Sequence, residues 1–181
     1  MNQVQNEDVP IRIMFQDEAR FGRISDPREC RAPSGYRPKI GTQMVREYVY
    51  IFGAVSPVDG CHDSLVLPRA DSEAMSIFLD EVSHRHQNEH IVMFMDQAGW
   101  HTSKTLKIPK NMELAFLPPY SPELNPQEQI WDELREKFFA NKTFKSLNAV
   151  MDNAVKALQM LEGLPDKIKS ISHRDWILHP V

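Results

Sequence analysis

Short apolar runs separated by polar turns occupy the first part of the chain and predict β-strands. Residues 10–17 form a brief, β-branched apolar run, which favours a buried strand with Asp17 at its C-terminal end. Residues 48–55 have strong strand composition, and a turn at 56–60 leads to another strand at 64–67. The Arg-, Pro- and Gly-rich segment 21–41 predicts an irregular hairpin. Together these runs predict an antiparallel meander.

Apolar residues at helical spacing then predict a helix that begins at Asp71 or Ser72 and ends near Arg85. The next apolar run is a strand that ends at Asp96. A strand, a helix and a strand in this order predict a right-handed crossover, which places the new strand parallel to the first. Asp17 and Asp96 are then expected at the same edge of the sheet.

The last third of the chain predicts one short strand and two helices. Residues 113–117 are the strand, and a proline-rich loop follows. Asn125 as cap and Pro126 as first residue predict a helix over 126–140. A second amphipathic helix covers 146–161 and is expected to stop at Gly163 and Pro165.

The chain of 181 residues, 41% of them hydrophobic, predicts one globular domain. We assign residues 1–9 to a disordered or extended N-terminus, 10–162 to the domain and 163–181 to a C-terminal tail. The polar start is not a signal peptide, and the sequence has no apolar stretch of membrane-spanning length. We therefore expect a cytoplasmic protein without a membrane partner.

The cysteines and clustered histidines suggest no structural metal. Cys30 and Cys61 form neither a C-x-x-C pair nor a four-ligand zinc spacing, which argues against a disulfide framework or structural zinc. His84, His86 and His90 lie near a predicted helix end. We interpret them as a solvated cluster that suits the helix dipole.

Charge is unevenly distributed. The formal net charge of −4 argues against a protein that coats DNA non-specifically. Between residues 18 and 47, however, the chain has seven Lys and Arg residues and only four acids. This stretch is either a surface that contacts the DNA backbone or a solvated loop and hairpin, and charge alone leaves both open.

Three acids stand where the predicted elements end or begin. Asp17 and Asp96 end strands, and Glu128 lies in the first turn of a helix, about a quarter-turn from its apolar stripe. Hard divalent cations such as Mg²⁺ prefer oxygen ligands of this kind. Taken singly, each acid also suits a turn, a cap or a helix dipole. Taken together, they predict a divalent-metal site.

Residues 117–131 have the sequence LPPYSPELNPQEQIW. This segment resembles the third-acid signature of mariner-like DDE superfamily transposases, especially the bacterial insertion-sequence branch. Residues 15–21 resemble the first-acid segment, and residues 95–101 resemble the second. The order and spacing agree, with 31 residues between Asp96 and Glu128. Gln97 departs from the pattern, since a smaller or Asn-like residue is expected there.

The resemblance implies an α/β, ribonuclease-H-like fold, with a mixed five-stranded sheet flanked by helices. It also implies that Asp17, Asp96 and Glu128 are the catalytic residues and hold two Mg²⁺ ions. Asp17 would be shared, Asp96 would hold one ion and Glu128 the other, and Mn²⁺ is expected to substitute. The implied reaction is endonuclease cleavage at transposon ends, followed by transesterification into target DNA.

Further residues are candidates for accessory roles. His101 either contacts a scissile phosphate, orients a ligand or is an ordinary loop histidine. Glu18 is a rival metal ligand, although strand alternation sends it to the face opposite Asp17. Arg20 and Arg23 would contact the DNA backbone. Trp100 and Tyr120 would stack on DNA bases, with core packing as the alternative.

The resemblance also implies partners. These are transposon terminal repeats, target DNA, further copies of the chain in the active assembly, and association with the nucleoid when active. Family members carry paired helix-turn-helix modules before the catalytic domain, and about ten residues precede the first predicted strand here. We therefore expect a separate helix-turn-helix polypeptide. Two alternatives remain: an idle remnant that only folds, dimerises or binds a transposase, and a general ribonuclease-H-like nuclease.

Overall fold

The computed structural model describes residues 9–29, 31–101 and 103–178. The predicted N-terminal segment up to residue 8, and Cys30, lie outside these ranges. The described residues form one mixed five-stranded sheet in the order β3-β2-β1-β4-β5, flanked by helices on both faces. The strands are β1 (Ile11–Ile24), β2 (Met44–Ser56), β3 (Cys61–Leu67), β4 (His90–Met95) and β5 (Met112–Phe116).

Strand β1 is the centre of the sheet and is longer than the sequence predicts. It pairs in parallel with β4 from Ile11 to Phe15, as the strand, helix and strand order predicts. It pairs antiparallel with β2 as far as Ile24, and this pairing satisfies its backbone well beyond Asp17. The prediction that β1 ends at Asp17 is therefore wrong. Asp17 lies within the strand, two residues after the parallel pairing ends.

Helices cover the two faces of the sheet. Helix α1 (Ser72–Arg85) begins at Asp71, whose side chain accepts from the Ala74 backbone N–H at 2.9 Å. It packs on the face that carries Met14. Helices α2 (Gln127–Leu134) and α3 (Leu147–Glu162) pack on the other face, with Phe15.

The helix predicted over 126–140 is regular only as far as Leu134. A π-helical turn follows at Arg135–Phe139, closed by the Ala140 N–H donating to the Arg135 carbonyl at 2.7 Å. The turn places the Phe139 ring 4.6 Å from the Phe21 ring in the core. Hydrophobic periodicity gives no signal for such a turn because the apolar stripe continues through it.

The segment predicted to be a tail contains a helix that packs into the core. Pro165 begins helix α4 (Pro165–Ser172) instead of only stopping α3, and a short helix α5 (Asp175–Leu178) follows. Ile168 is fully buried in the cluster that contains Trp131. The β2–β3 turn lies against α4 so closely that a Cβ on Gly60, which has φ +75°, would be 2.1 Å from the Pro165 carbonyl oxygen.

Within the described part of the chain, we find no helix that combines the length and apolarity needed to cross a bilayer.

Replacing Ile168 with Ala tests whether α4 belongs to the folded unit. Ile168 is fully buried, so we expect a loss of about 2–4 kcal/mol in the free energy of unfolding, measured by urea titration. Leu164→Ala is the control, since Leu164 is half exposed one turn earlier and should cost much less. Equal, small effects from both variants would show that α4 is not part of the cooperative core.

Candidate active site

The three predicted acids line one cleft. Asp17, Asp96 and Glu128 face a cavity of about 510 Å³ whose remaining wall is largely the proline-rich loop at 117–122. They come from three elements: the middle of β1, the residue after β4 and the first turn of α2. The parallel pairing of β1 and β4 is what brings Asp17 and Asp96 to the same edge.

Asp17 is held by an indole donor. The Trp131 Nε1–H donates to Asp17 Oδ2 at 2.8 Å. Gly53 lies opposite Asp17 on β2, and a Cβ there would be 2.6 Å from Trp131 Cη2 and 2.5 Å from Gln127 Nε2. Glycine at this position is therefore what allows Trp131 to reach the aspartate.

The electrostatic environment of Asp17 disfavours its charge. Burial, followed by the charges of Glu128 and then Glu18, raises the pKa of Asp17 to about 7. The indole hydrogen bond opposes this shift without cancelling it. A group that is buried among other acids in this way is stabilised as an anion when a cation binds nearby.

Glu128 is positioned by the start of α2. The Asn125 side chain donates through Nδ2 to the Gln16 carbonyl at 2.8 Å and accepts from the Gln127 N–H at 3.0 Å. It thus connects the helix start to β1 beside Asp17. Burial raises the pKa of Glu128, opposed by the charge of Arg135 and reinforced by the charges of Asp132 and then Asp96.

Asp96 is the most exposed of the three acids and is held by His101. The His101 Nδ1–H lies 2.8 Å from Asp96 Oδ1, and the Ala98 N–H donates to the same oxygen at 3.0 Å. The His101 hydrogen bond lowers the pKa of Asp96 although partial burial opposes it. Asp96 is therefore ionised in the cleft.

His101 itself is buried and charged. Its Nε2 lies 2.9 Å from Glu18 Oε1, so both ring nitrogens face carboxylates. Burial opposes the charge, but hydrogen bonds to Asp96 and Glu18 raise the pKa of His101 to about 10. Of the interpretations that the sequence left open, this geometry fits the orienting role and not a loop histidine.

Glu18 does not line the cleft. It lies on the opposite face of β1 from Asp17, as strand alternation predicts, and accepts from Trp100 Nε1 at 3.2 Å as well as from His101. Trp100 is thereby half-buried and tied to the sheet. These contacts make Glu18 an anchor for the loop after Asp96 rather than a direct neighbour of the cleft.

The other DNA-contact candidates differ in accessibility. Tyr120 is fully exposed on the cleft wall and has φ +58°. Arg20 is exposed and lies over the Tyr48 ring, 4.4 Å from its centroid. Arg23 is engaged within the protein, since it pairs with Glu47 at 2.7 Å and donates to the Phe144 carbonyl at 2.9 Å.

Sequence reasoning missed two supporting residues. Trp131 was interpreted only as part of the apolar stripe of its helix, and Gly53 only as part of a strand. Trp131 stands within the 117–131 segment, which offered a signal, whereas nothing in the pattern indicates that Gly53 lies opposite Asp17. That relationship depends on the register of β1 and β2.

A mixed sheet with acids beside the carboxyl ends of its parallel strands is a ribonuclease-H-like arrangement. The family described as DDE superfamily endonuclease matches residues 12–151, and the chain belongs to this family. It is 43% identical over 130 residues to the uncharacterized protein y4pE/y4sA of Sinorhizobium fredii. The aligned residues cover 71% of this chain and 96% of that protein.

The fold is also that of solved Mos1 transposase complexes. The Mos1 mariner paired-end complex with Mn matches with a TM-score of 0.60 and 15% identity, over 90% of this chain and 56% of that one. The paired-end complex with Mg matches with a TM-score of 0.56 and 16% identity, over 90% of this chain and 56% of that one. The strand transfer complex matches with a TM-score of 0.57 and 14% identity, over 90% of this chain and 55% of that one. The chain thus spans little more than half the length of the Mos1 chains.

The raised pKa of Asp17 predicts how stability depends on pH when divalent cations are chelated. Because the pKa is about 7 in the folded protein and about 4 in an unfolded chain, the folded state binds more protons between these values. The free energy of unfolding should therefore fall as pH rises from about 4 to about 7. Asp17→Asn should remove this loss and be more stable than wild type above pH of about 7, by on the order of 2–4 kcal/mol.

Urea titration in chelator at both ends of this pH window makes the measurement. Asp152→Asn, which makes the same charge change on an exposed face of α3, should keep the wild-type pH slope. An Asp17→Asn variant whose slope matches that of wild type would contradict the electrostatic account of the cleft.

Proposed function

We propose that this chain is the catalytic domain of a DNA transposase that cleaves transposon ends and joins them to target DNA. The observation that carries the proposal is the single cleft lined by Asp17, Asp96 and Glu128. Membership of the DDE superfamily endonucleases and the Mos1-like fold support the same reaction class.

The cleft suits divalent metal ions. Its charged donors are carboxylate oxygens, the ligands that Mg²⁺ and Mn²⁺ prefer, and the raised pKa values of Asp17 and Glu128 indicate negative charge that a cation would stabilise. Asp17, Asp96 and Glu128 would hold two such ions. When bound, these ions activate the attacking oxygen and stabilise the leaving oxygen of an in-line displacement.

The protein's own contribution is to fix the carboxylates before substrate arrives. Trp131 holds Asp17, His101 holds Asp96, and Asn125 fixes the helix start that carries Glu128. Buried partners restrict the rotamers of the acids, so little reorganisation is needed during the reaction. Tyr120 offers an exposed stacking group on the cleft wall, and Arg20 offers an exposed phosphate-contacting group three residues after Asp17 on β1.

The substrates follow from the same reasoning. They are the terminal repeats of a transposon and a target duplex, handled by an assembly of several copies of the chain. Recognition of the repeats is the task of a helix-turn-helix module. The paired-end assemblies of Mos1, with the same fold, support an oligomeric active form.

Substitution of the three acids tests catalysis. Asp96→Asn, Asp17→Asn and Glu128→Gln should each slow cleavage of labelled terminal-repeat DNA in Mg²⁺ or Mn²⁺ by more than about 100-fold. Losing a metal ligand should cost more than the 10- to 100-fold that loss of an outer-shell partner typically costs. Asp132→Asn is the control, since its exposed carboxylate on the same helix should be dispensable.

Equal nicking by wild type and Asp96→Asn would exclude the catalytic assignment. Mn²⁺ binding, followed by its electron paramagnetic resonance signal, separates the remaining alternatives. A wild-type protein that neither cleaves DNA nor binds Mn²⁺ would establish the idle remnant. Faster cleavage of an RNA–DNA hybrid than of terminal-repeat DNA would establish the general nuclease.

Tyr120→Ala tests the role of the cleft wall in holding DNA. Stacking on one base contributes about 1–3 kcal/mol, so we expect binding of a single-stranded DNA flank to weaken about tenfold or more, measured by fluorescence anisotropy. Tyr36→Ala removes another exposed tyrosine, in the arginine-rich segment, and should change binding less. Equal losses in the two variants would contradict a specific stacking role.

A further inference from the structure

A second cluster of metal-ligating side chains lies at the opposite end of β4 from the cleft. Cys61 and Asp63 are two residues apart on β3 and so share one face of the strand. His86 follows the last residue of α1, shortly before β4 begins. Their ligand atoms all lie within 4.8 Å of one another. Asp96 follows the far end of β4, about 20 Å away along the strand.

The geometry within the cluster is compact. His86 Nε2 lies 2.7 Å from Asp63 Oδ2 and 4.0 Å from Cys61 Sγ. Asp63 is buried, and the His86 side chain is only 12% exposed. The expectation of a solvated histidine cluster is therefore wrong for His86, because folding packs it against acids from β3 and from the following loop.

Two of the three ligand candidates, His86 and Asp63, have outer partners. Glu89 Oε2 lies 3.1 Å from His86 Nδ1 and also accepts from Arg12 Nε at 2.5 Å. Arg85 donates to Asp63 Oδ1 at 3.1 Å, which leaves Oδ2 toward the histidine. A carboxylate on one imidazole nitrogen fixes the proton there and directs the other nitrogen's lone pair inward. Such outer hydrogen bonds typically orient metal ligands.

The His86 ring lies between two carboxylates, since Asp63 Oδ2 is 2.7 Å from Nε2 and Glu89 Oε2 is 3.1 Å from Nδ1. A neutral ring has one N–H, so one of its nitrogens would turn a lone pair toward a carboxylate oxygen. A cation at this position relieves that repulsion, and the two candidates are an imidazolium and a bound metal ion.

Charge balance permits both occupants. Four acids, Asp59, Asp63, Glu81 and Glu89, pair with Arg12 and Arg85, which leaves an excess of negative charge. An imidazolium and a divalent ion bound with a Cys61 thiolate each add one positive charge, so the charge count favours neither.

The donor set distinguishes the two occupants. A proton on His86 makes no use of Cys61, whereas thiolate, imidazole and carboxylate together are a ligand set typical of zinc. Burial and the charge of Asp63 raise the pKa of the Cys61 thiol to about 11, so the free thiol stays protonated until a metal displaces its proton.

We propose that Cys61, Asp63 and His86 bind one zinc ion, with water as the fourth ligand. A tetrahedral zinc places sulfur and nitrogen ligands about 3.6 Å apart and nitrogen and oxygen ligands about 3.4 Å apart. Cys61 and His86 therefore need to approach by a few tenths of an ångström from 4.0 Å, and His86 and Asp63 need to separate from 2.7 Å by somewhat more. The ion fastens the edge strand β3 to the C-terminal end of α1. This role is structural and independent of cleavage in the cleft.

Cobalt is the probe for the site because a cobalt–thiolate bond has its own near-ultraviolet charge-transfer band. Co²⁺ is titrated into the reduced, chelator-treated full chain. We expect this band to saturate at one equivalent and to disappear when Zn²⁺ is added. Cys61→Ser and His86→Gln should abolish the band, whereas the matched controls Cys30→Ser and His84→Gln should keep it. Asp17→Asn should also keep it, which separates this site from the cleft.

Thermal unfolding provides the second measurement. At zinc concentrations about 100-fold above the dissociation constant, the Tm of wild type should rise by roughly 5 °C and that of His86→Gln should not. Asp63→Asn is a further variant, expected to weaken Co²⁺ binding at least tenfold, in case Cys61→Ser fails to fold by circular dichroism. Absence of the band and of the zinc effect in wild type would overturn the proposal in favour of an imidazolium. A band lost in Cys30→Ser but kept in Cys61→Ser would overturn it as well.

Discussion

Asp17 and Glu128 face the same cleft from a strand and a helix, and the rest of the site depends on holding these partly buried carboxylates in place. Burial raises the pKa of both. The groups that position them are neutral, an indole N–H on Asp17 and the amide of Asn125 at the helix start. The indole fixes the direction of the Asp17 carboxylate without cancelling its charge, and Asn125 fixes the helix start that carries Glu128. The cleft therefore keeps the negative potential that would favour a divalent cation.

Consecutive residues of β1 serve the two faces of the sheet. Asp17 faces α2, while Glu18 faces the other layer and forms a buried pair with His101. That pair is surrounded by hydrogen-bond donors and acceptors, as a buried ion pair requires. His101 uses its second nitrogen on Asp96, so the position of Asp96 depends on the residue next to Asp17. The two aspartates are thus linked through β1 itself as well as through the pairing of β1 with β4.

The sequence predicts most of this fold because its local patterns agree with the tertiary structure. The crossover from the first strand to β4, the helix after Asp71 and the acids at the cleft all follow from periodicity, caps and the three family-like segments. The full length of β1, the role of Gly53 and the burial of Ile168 do not. Each depends on a partner distant in the chain: the β2 register, the Trp131 indole and the core on the α2 face. Local patterns carry no information about such partners.

Different metal-ligating side chains lie at the two ends of β4, and the topology of the fold explains both sets. At the carboxyl end, parallel pairing gathers side chains that follow strands, and here these are oxygen donors. At the amino end, α1 returns beside β3, so His86 meets Cys61 and Asp63 although 22 residues lie between it and the aspartate. Oxygen donors suit Mg²⁺ and Mn²⁺, and a thiolate with an imidazole suits zinc. Under both proposals, a zinc ion fixes the connection between α1 and the amino end of β4, and Mg²⁺ or Mn²⁺ ions act at the carboxyl end of the strand.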